Sequence, residues 1–195
     1  MSARLGAVVL AAGGACRFGG GKLTAVWRGK PLIAWAVDVA LDVADGPVVV
    51  VIGDRAEALR DALPATGRLK TVFATDHALG LAHSLCAGLA ALPDDLAGAF
   101  VLLGDMPAIP AAIATGLAAA LGDGVQAAAP VFNGRRGHPV LFDRTLFPHL
   151  MALTGDRGAG ALLASLGDGL GLVDVTDPGV LFDIDTQDDL ESELY

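Results

Sequence analysis

Residues 10–22 read Leu-Ala-Ala-Gly-Gly-Ala-Cys-Arg-Phe-Gly-Gly-Gly-Lys, directly after the apolar run Ala7-Val8-Val9. The run predicts a short buried strand ending at Leu10. The glycines Gly13, Gly14, Gly19, Gly20 and Gly21 let the backbone turn tightly with little side-chain bulk. Successive backbone N–H groups in such a turn cradle phosphate oxygens. Arg17 adds a planar fork and Lys22 a mobile point charge. The stretch is therefore read as a phosphate-binding loop after the first strand of an α/β domain. The plainer reading, a glycine-rich connection serving only the fold, does not need five glycines and two cations together.

Two familiar loops are excluded by spacing. A Walker A loop needs a glycine five residues before its Gly-Lys pair and Ser or Thr after it. Cys16 and Leu23 stand at those positions. The dinucleotide pattern G-x-G-x-x-G also fails, because no three of these glycines have that spacing.

The length of 195 residues predicts one domain with a substantial core. The net charge of −9 argues against a polyanion as main partner. A phosphate site must then be a local positive patch. Arg17 and Lys22 meet that need, with Arg135 and Arg136 as helpers. The apolar stretches are short and interrupted, so none is expected to span a bilayer. Arg4 and the following apolar segment imitate a secretory signal but run straight into the glycine loop, so a cytoplasmic protein is expected. Cys16 and Cys86 make neither a disulfide framework nor a metal motif.

Along the chain, short apolar strands alternate with helical stretches. Leu23–Val26 is expected to be extended, and Trp27 to Pro31 a turn. Helices are predicted over 32–44, 55–63, 81–89, 110–121, 143–151, 161–166 and 187–194. Further strands are predicted over 47–52, 69–74, 99–103, 126–131, 140–142 and 170–175. This order implies parallel β-α-β units with right-handed crossovers. Ligands in such sheets bind beyond the carboxyl ends of the strands.

Residues at those ends are the candidates. Ser84 opens the helix after the third strand and either contacts a base or ribose or only caps the helix. His77 and His83 lack the spacing of a zinc pair. Gly104-Asp105-Met106-Pro107 follows the fourth strand, placing a carboxylate where Mg²⁺ can be held. Asn133-Gly134 signals a hairpin whose Arg135 and Arg136 face an anionic acceptor or only solvent. Asp185 is either a second metal carboxylate or the cap of the last helix, a role for which Thr186 competes. Trp27 and Trp35 read as packing residues.

Four separated stretches, LAAGGACRFGGGK, GLAHSLCAGL, LLGDMP, and RGHPVLF with DIDTQDDL, resemble the molybdenum cofactor nucleotidyltransferases, in particular their cytidylyltransferase branch. The likeness runs nearly the full length. It implies one nucleotidyltransferase domain over 1–195, folded as a three-layer α/β/α Rossmann-like sandwich with a mostly parallel sheet, of nucleotide-diphospho-sugar transferase type. It implies Mg²⁺-dependent transfer of CMP from CTP to the phosphate of molybdopterin, releasing pyrophosphate. By resemblance Leu10, Ala11, Ala12 and Gly13, with Gly80 and Ser84, hold the nucleoside. Arg17 and Lys22 bind the triphosphate, Asp105 and Asp185 the metal, and His138 with Pro139 the acceptor side. The implied partners are CTP, a molybdopterin-type phosphorylated acceptor, and a molybdoenzyme or its chaperone, with neither nucleic acid nor membrane. The chain departs from the family at Ala82-His83, where relatives often carry small hydroxyl residues, and at Gly160, where they often carry Arg. GTP, another small phosphorylated acceptor, and a cofactor-binding chaperone without transferase chemistry are the competing readings.

Overall fold

Three strands that are buried along nearly their whole length form the middle of one sheet. In the computed structural model, which describes residues 4–13, 18, 20–54, 56–155 and 158–191, β1 (Leu5–Ala11) lies between β4 (Val48–Ile52) and β6 (Gly98–Leu103), parallel to both. Continuous Val-rich runs suit such positions, because both faces of the strand are covered. The register pairs Ala11 with Ile52 and Leu10 with Leu103. The three carboxyl ends therefore finish level, and Ala12, Gly53 and Gly104 leave the sheet side by side.

The full order is β10-β7-β9-β6-β1-β4-β5, with β8 paired to β7. Here β5 is Leu69–Phe73, β7 Ala127–Phe132, β8 Arg135–Arg136, β9 Val140–Asp143 and β10 Leu170–Asp174. Only β8 and β9 run antiparallel to their neighbours in this sheet. They form the excursion that Asn133-Gly134 announces. Both turn residues have positive φ, 49° and 75°, as a two-residue hairpin requires.

Alternate residues of β1 feed two separate cores, as the two-residue period of a strand dictates. Ala7, Val9 and Ala11 face α1 (Leu32–Val43), α2 (Ala56–Asp61) and α4 (Ile113–Ala120) through Ile33, Val37, Leu59 and Leu117. Val8 and Leu10 face α3 (Leu81–Ala90), α5 (Phe147–Met151) and α6 (Gly160–Ser165) through Leu85, Leu89, Leu150 and Leu163. The result is the expected three-layer α/β/α sandwich around a mostly parallel sheet. No helix among the described residues is long and apolar enough to cross a membrane.

Some local expectations are corrected. Lys22–Thr24 is a 3-10 turn rather than an extended piece. Gly21 starts it with φ 73°, and the Thr24 hydroxyl donates to the Gly21 carbonyl at 2.9 Å. The chain then makes a two-strand hairpin, β2 (Val26–Trp27) against β3 (Lys30–Pro31), at the predicted turn. The helix expected from Asp143 divides in two. The Asp143 carboxylate accepts from the Thr145 N–H and caps a 3-10 turn over Arg144–Leu146, and α5 starts only at Phe147, where Pro148 fits the first turn. The expected last helix is present as α7 over Gln187–Glu191, and its remaining expected residues, 192–194, lie outside the described residues.

Candidate active site

Lys22, Asp105 and Asp185 come from three distant parts of the chain and meet at one point. The Lys22 Nζ donates to Asp105 Oδ2 at 2.8 Å and to Asp185 Oδ1 at 2.9 Å. Asp105 is delivered by β6, whose end turns at Gly104; the Gly104 N–H donates to the Leu10 carbonyl at 2.9 Å. Asp185 arrives from the far end of the chain on an extended segment. The Ile184 N–H donates to the Asp105 carbonyl at 3.1 Å, so the two carboxylate segments are tied through their backbones. The Ile184 side chain is fully buried in a small core with Phe18, Trp27 and Leu32. Trp35 packs edge-on to Trp27 and donates its Nε1–H to the Trp27 carbonyl at 2.9 Å. Both tryptophans therefore serve packing, as expected. Their cluster supports both the Lys22 turn and the Asp185 segment.

Lys22 differs from its expectation in one respect. It is not a mobile charge on an open loop but is 7% exposed and held. Burial alone would lower its pKa. The hydrogen bonds and charges of Asp105 and Asp185 outweigh burial, and the ammonium is held above the ordinary lysine value.

At Asp185 the helix-cap reading is removed by Asp189. The Asp189 Oδ2 accepts from the Asp185 and Thr186 N–H groups at 2.9 and 2.7 Å, and the Asp189 N–H donates back to Thr186 Oγ1 at 3.3 Å. This is a reciprocal capping box built on Thr186. The bonds from the Thr186 side chain, then from the Thr186 and Asp185 backbone, hold the Asp189 carboxyl below its usual value. Thr186 takes the cap, and the Asp185 carboxylate reaches Lys22.

Sequence reasoning missed Asp183. Burial, then the charges of Asp185 and Asp105, push its carboxyl pKa up. It is a third carboxyl in the same field. The signal was present as the alternation Asp183-Ile184-Asp185, in which a buried Ile184 anchors an acidic residue on either side.

Of the nucleoside candidates, Leu10 is tied to the Asp105 turn, its carbonyl accepting from the Gly104 N–H. Leu10, Ala11 and Ala12 are buried, and Gly13 is exposed at the strand end. Gly80 is the N-cap of α3, with φ 122° and no side-chain cap bond. A glycine is needed there, because other residues rarely adopt that φ. The capping reading of Ser84 is thereby removed; Ser84 lies in the helix, 4% exposed. A cavity of about 250 Å³ opens beside Leu10, Leu85, Leu103, Arg136, His138 and Ala159. Arg135 and Arg136 are exposed, and only Arg136 lines the cavity. His77 pairs with Asp54 at 3.3 Å. Arg17 lies outside the described residues, as do Gly14, Cys16 and Gly19.

His138 is partly buried, and its Nδ1 has no hydrogen-bond partner among the described residues. Desolvation lowers its pKa, against a hydrogen bond to the Val101 backbone and attraction by Asp105. The unfolded chain therefore binds the extra proton more readily below the ordinary value of 6.5. Stability is fully present above that pH and falls as the medium is acidified. Melting curves on the acid side should lose at most about 1.4 kcal/mol per pH unit from this group, and His138→Gln should flatten that slope. An unchanged slope in the variant contradicts the assignment.

Gly137 holds His138 in place. Its N–H donates to the Pro130 carbonyl at 2.9 Å, and the His138 N–H donates to Val180 O at 2.9 Å. A Cβ on Gly137 would stand 2.2 Å from the Val180 carbonyl oxygen. Backbone cannot yield there as a side chain can. Gly137→Ala should destabilise the fold by about 1–3 kcal/mol in denaturant unfolding; a change below about 0.5 kcal/mol would show that the Gly137 and Val180 segments move apart freely.

Comparison with known proteins places these features in a family context. The MobA-like NTP transferase domain family matches residues 7–170. The chain is 34% identical over 130 residues to the bifunctional protein GlmU of Maricaulis maris (strain MCS10), covering 66% of this chain and 28% of that protein. It thus spans less than a third of the length of that relative. The crystal structure of Rv0371c from Mycobacterium tuberculosis H37Rv superposes with a TM-score of 0.84 at 29% identity, covering 98% of this chain and 100% of that one. A crystal structure of Rv0371c in complex with manganese superposes with a TM-score of 0.77 at 28% identity, again covering 98% and 100%.

Proposed function

The chain belongs to the MobA-like NTP transferase domain family, and from that premise we propose a cytoplasmic enzyme that transfers CMP from CTP to the phosphate of a molybdopterin-type acceptor. The observation that carries this reading is the meeting of Lys22, Asp105 and Asp185 beside the level ends of β1, β4 and β6. That is where a parallel sheet presents residues to a ligand.

The acceptor phosphate oxygen attacks the α-phosphorus in line. A new P–O bond forms, the bond to the β-phosphate oxygen breaks, and that oxygen leaves with the electron pair as pyrophosphate. The acceptor phosphate is already ionised, so no strong base is required. The protein contributes positioning and charge neutralisation. Leu10–Gly13 and Gly80–Ser84 hold the nucleoside. Lys22 and Arg17 offset charge gathering on the leaving group. His138 and the cavity beside it receive the acceptor.

Asp105 and Asp185 are the residues for a divalent cation. Their donor set fits one. Two carboxylate oxygens converge on a single cationic point, and hard oxygen donors suit Mg²⁺ or Mn²⁺. Water and substrate phosphates would supply the remaining ligands of such an ion. The manganese complex of the related Rv0371c supports the same reading. When bound, such an ion neutralises phosphate charge and aligns the triphosphate.

The mainly apolar lining of the cavity supports a second reading. Nothing in Leu10, Leu85, Val101 or Leu103 is peculiar to one base or one acceptor, so guanylyl transfer from GTP, or transfer to another small phosphorylated acceptor, is the alternative, and a cofactor-binding chaperone is the non-enzymatic one. Pyrophosphate release measured over a grid of triphosphates and acceptors tests all three. The expected result is fastest release with CTP and molybdopterin. Tight CTP binding with no release from any pair favours the chaperone.

A further inference from the structure

Lys22 occupies an unusual position for a triphosphate-binding lysine. Its Nζ is clasped at 2.8 and 2.9 Å by the same two carboxylates that the proposed function assigns to a divalent cation. Ammonium and divalent ion cannot share that position, because like charges at this range repel strongly. We propose that Lys22 is a tethered counter-ion: it holds the Asp105–Asp185 position against free divalent cations and yields it when a triphosphate offers the ammonium another anion. The inference rests on the proposed function for the identity of the ligand that draws Lys22 away.

The surroundings are built for such an exchange. The Ile184 N–H to Asp105 carbonyl bond and the buried Ile184 side chain fix the two carboxylate segments without help from Lys22. The pair therefore keeps its spacing when the ammonium departs. Gly20 and Gly21, with φ of 95° and 73°, immediately precede Lys22. They give its stem a backbone with wide conformational freedom.

Free metal must displace an ammonium that makes two charge-assisted hydrogen bonds, whereas a metal–nucleotide complex brings the ammonium a replacement. Metal and nucleotide are consequently linked, each raising the affinity of the other by the same factor. A single charge-assisted bond corresponds to about tenfold or more in affinity.

The test uses the full chain, Mn²⁺ alone, and no nucleotide, with free Mn²⁺ followed by electron paramagnetic resonance. Lys22→Met should bind Mn²⁺ about tenfold or more tightly than the unmodified protein. Equal or weaker binding by a folded Lys22→Met overturns the proposal. A second measurement covers the case in which that variant does not fold. The chain has three lysines, Lys22, Lys30 and Lys70. Saturating Mn²⁺ without nucleotide should speed acylation of Lys22 relative to the other two, read by mass spectrometry. An unchanged Lys22 rate at saturation also overturns it. Competition with Mn²⁺ alone, in a protein that releases no pyrophosphate from any substrate pair, supports this inference while removing the proposed function. An active enzyme whose Mn²⁺ affinity ignores Lys22 overturns the inference and leaves the function standing.

Discussion

Pyrophosphate release by Lys22→Ala is expected to fall about 10²–10³-fold, the usual loss when a donor to a developing charge is removed. The side chain contacts both carboxylates and is 7% exposed, so its effect on folding must be separated from its effect on chemistry. Asp105 and Asp185 remain 27% and 42% exposed at their side chains. Water can therefore screen them when the ammonium is gone, and the expected stability loss is only about 1 kcal/mol. A melting curve close to that of the unmodified protein, together with a large loss of turnover, is the predicted outcome. Near-normal turnover contradicts the role given to Lys22.

Asp105→Ala is expected to reduce turnover by at least about 10²-fold, and added Mn²⁺ should not restore it. Asp105 lies directly past the end of β6, and its carbonyl also receives the Ile184 N–H. That backbone bond survives side-chain truncation, so the Asp185 segment should keep its place. The loss should fall on kcat more than on the KM for CTP, because the carboxylate is proposed to act on charge that develops during transfer. Asp105→Asn separates the contributions. It keeps the shape of the side chain but removes its charge, so it should behave like Asp105→Ala. Rescue by Asn would show that shape rather than charge is required there.

The sequence was most legible where burial is complete. Val48–Ile52 and Ala99–Leu103 lie inside the sheet with helices on both faces, and such strands are written as unbroken apolar runs. The Gly104-Asp105 turn was legible for the same reason, since it follows a strand whose end is sharply marked. The Lys22–Thr24 turn was not. Its shape depends on the positive φ of Gly21, and a glycine in a loop of glycines does not reveal which φ it adopts. Asp185 could be read as a helix cap because the box that Asp189 completes with Thr186 depends on the fold of the helix start. Two neighbouring acids, Asp188 and Asp189, could each have been counted as the partner. The cavity at His138 depends on α3, the β8–β9 segment and the Gly158–Gly160 stretch coming together. No local pattern encodes that convergence.

The most direct test of the account is a crystal structure with Mn²⁺ and a non-hydrolysable CTP analogue, read by anomalous scattering. The account predicts a manganese peak on the Asp105 and Asp185 carboxylates and the Lys22 ammonium moved onto the triphosphate. A triphosphate bound elsewhere on the molecule, with Lys22 still clasped by both carboxylates, would contradict it.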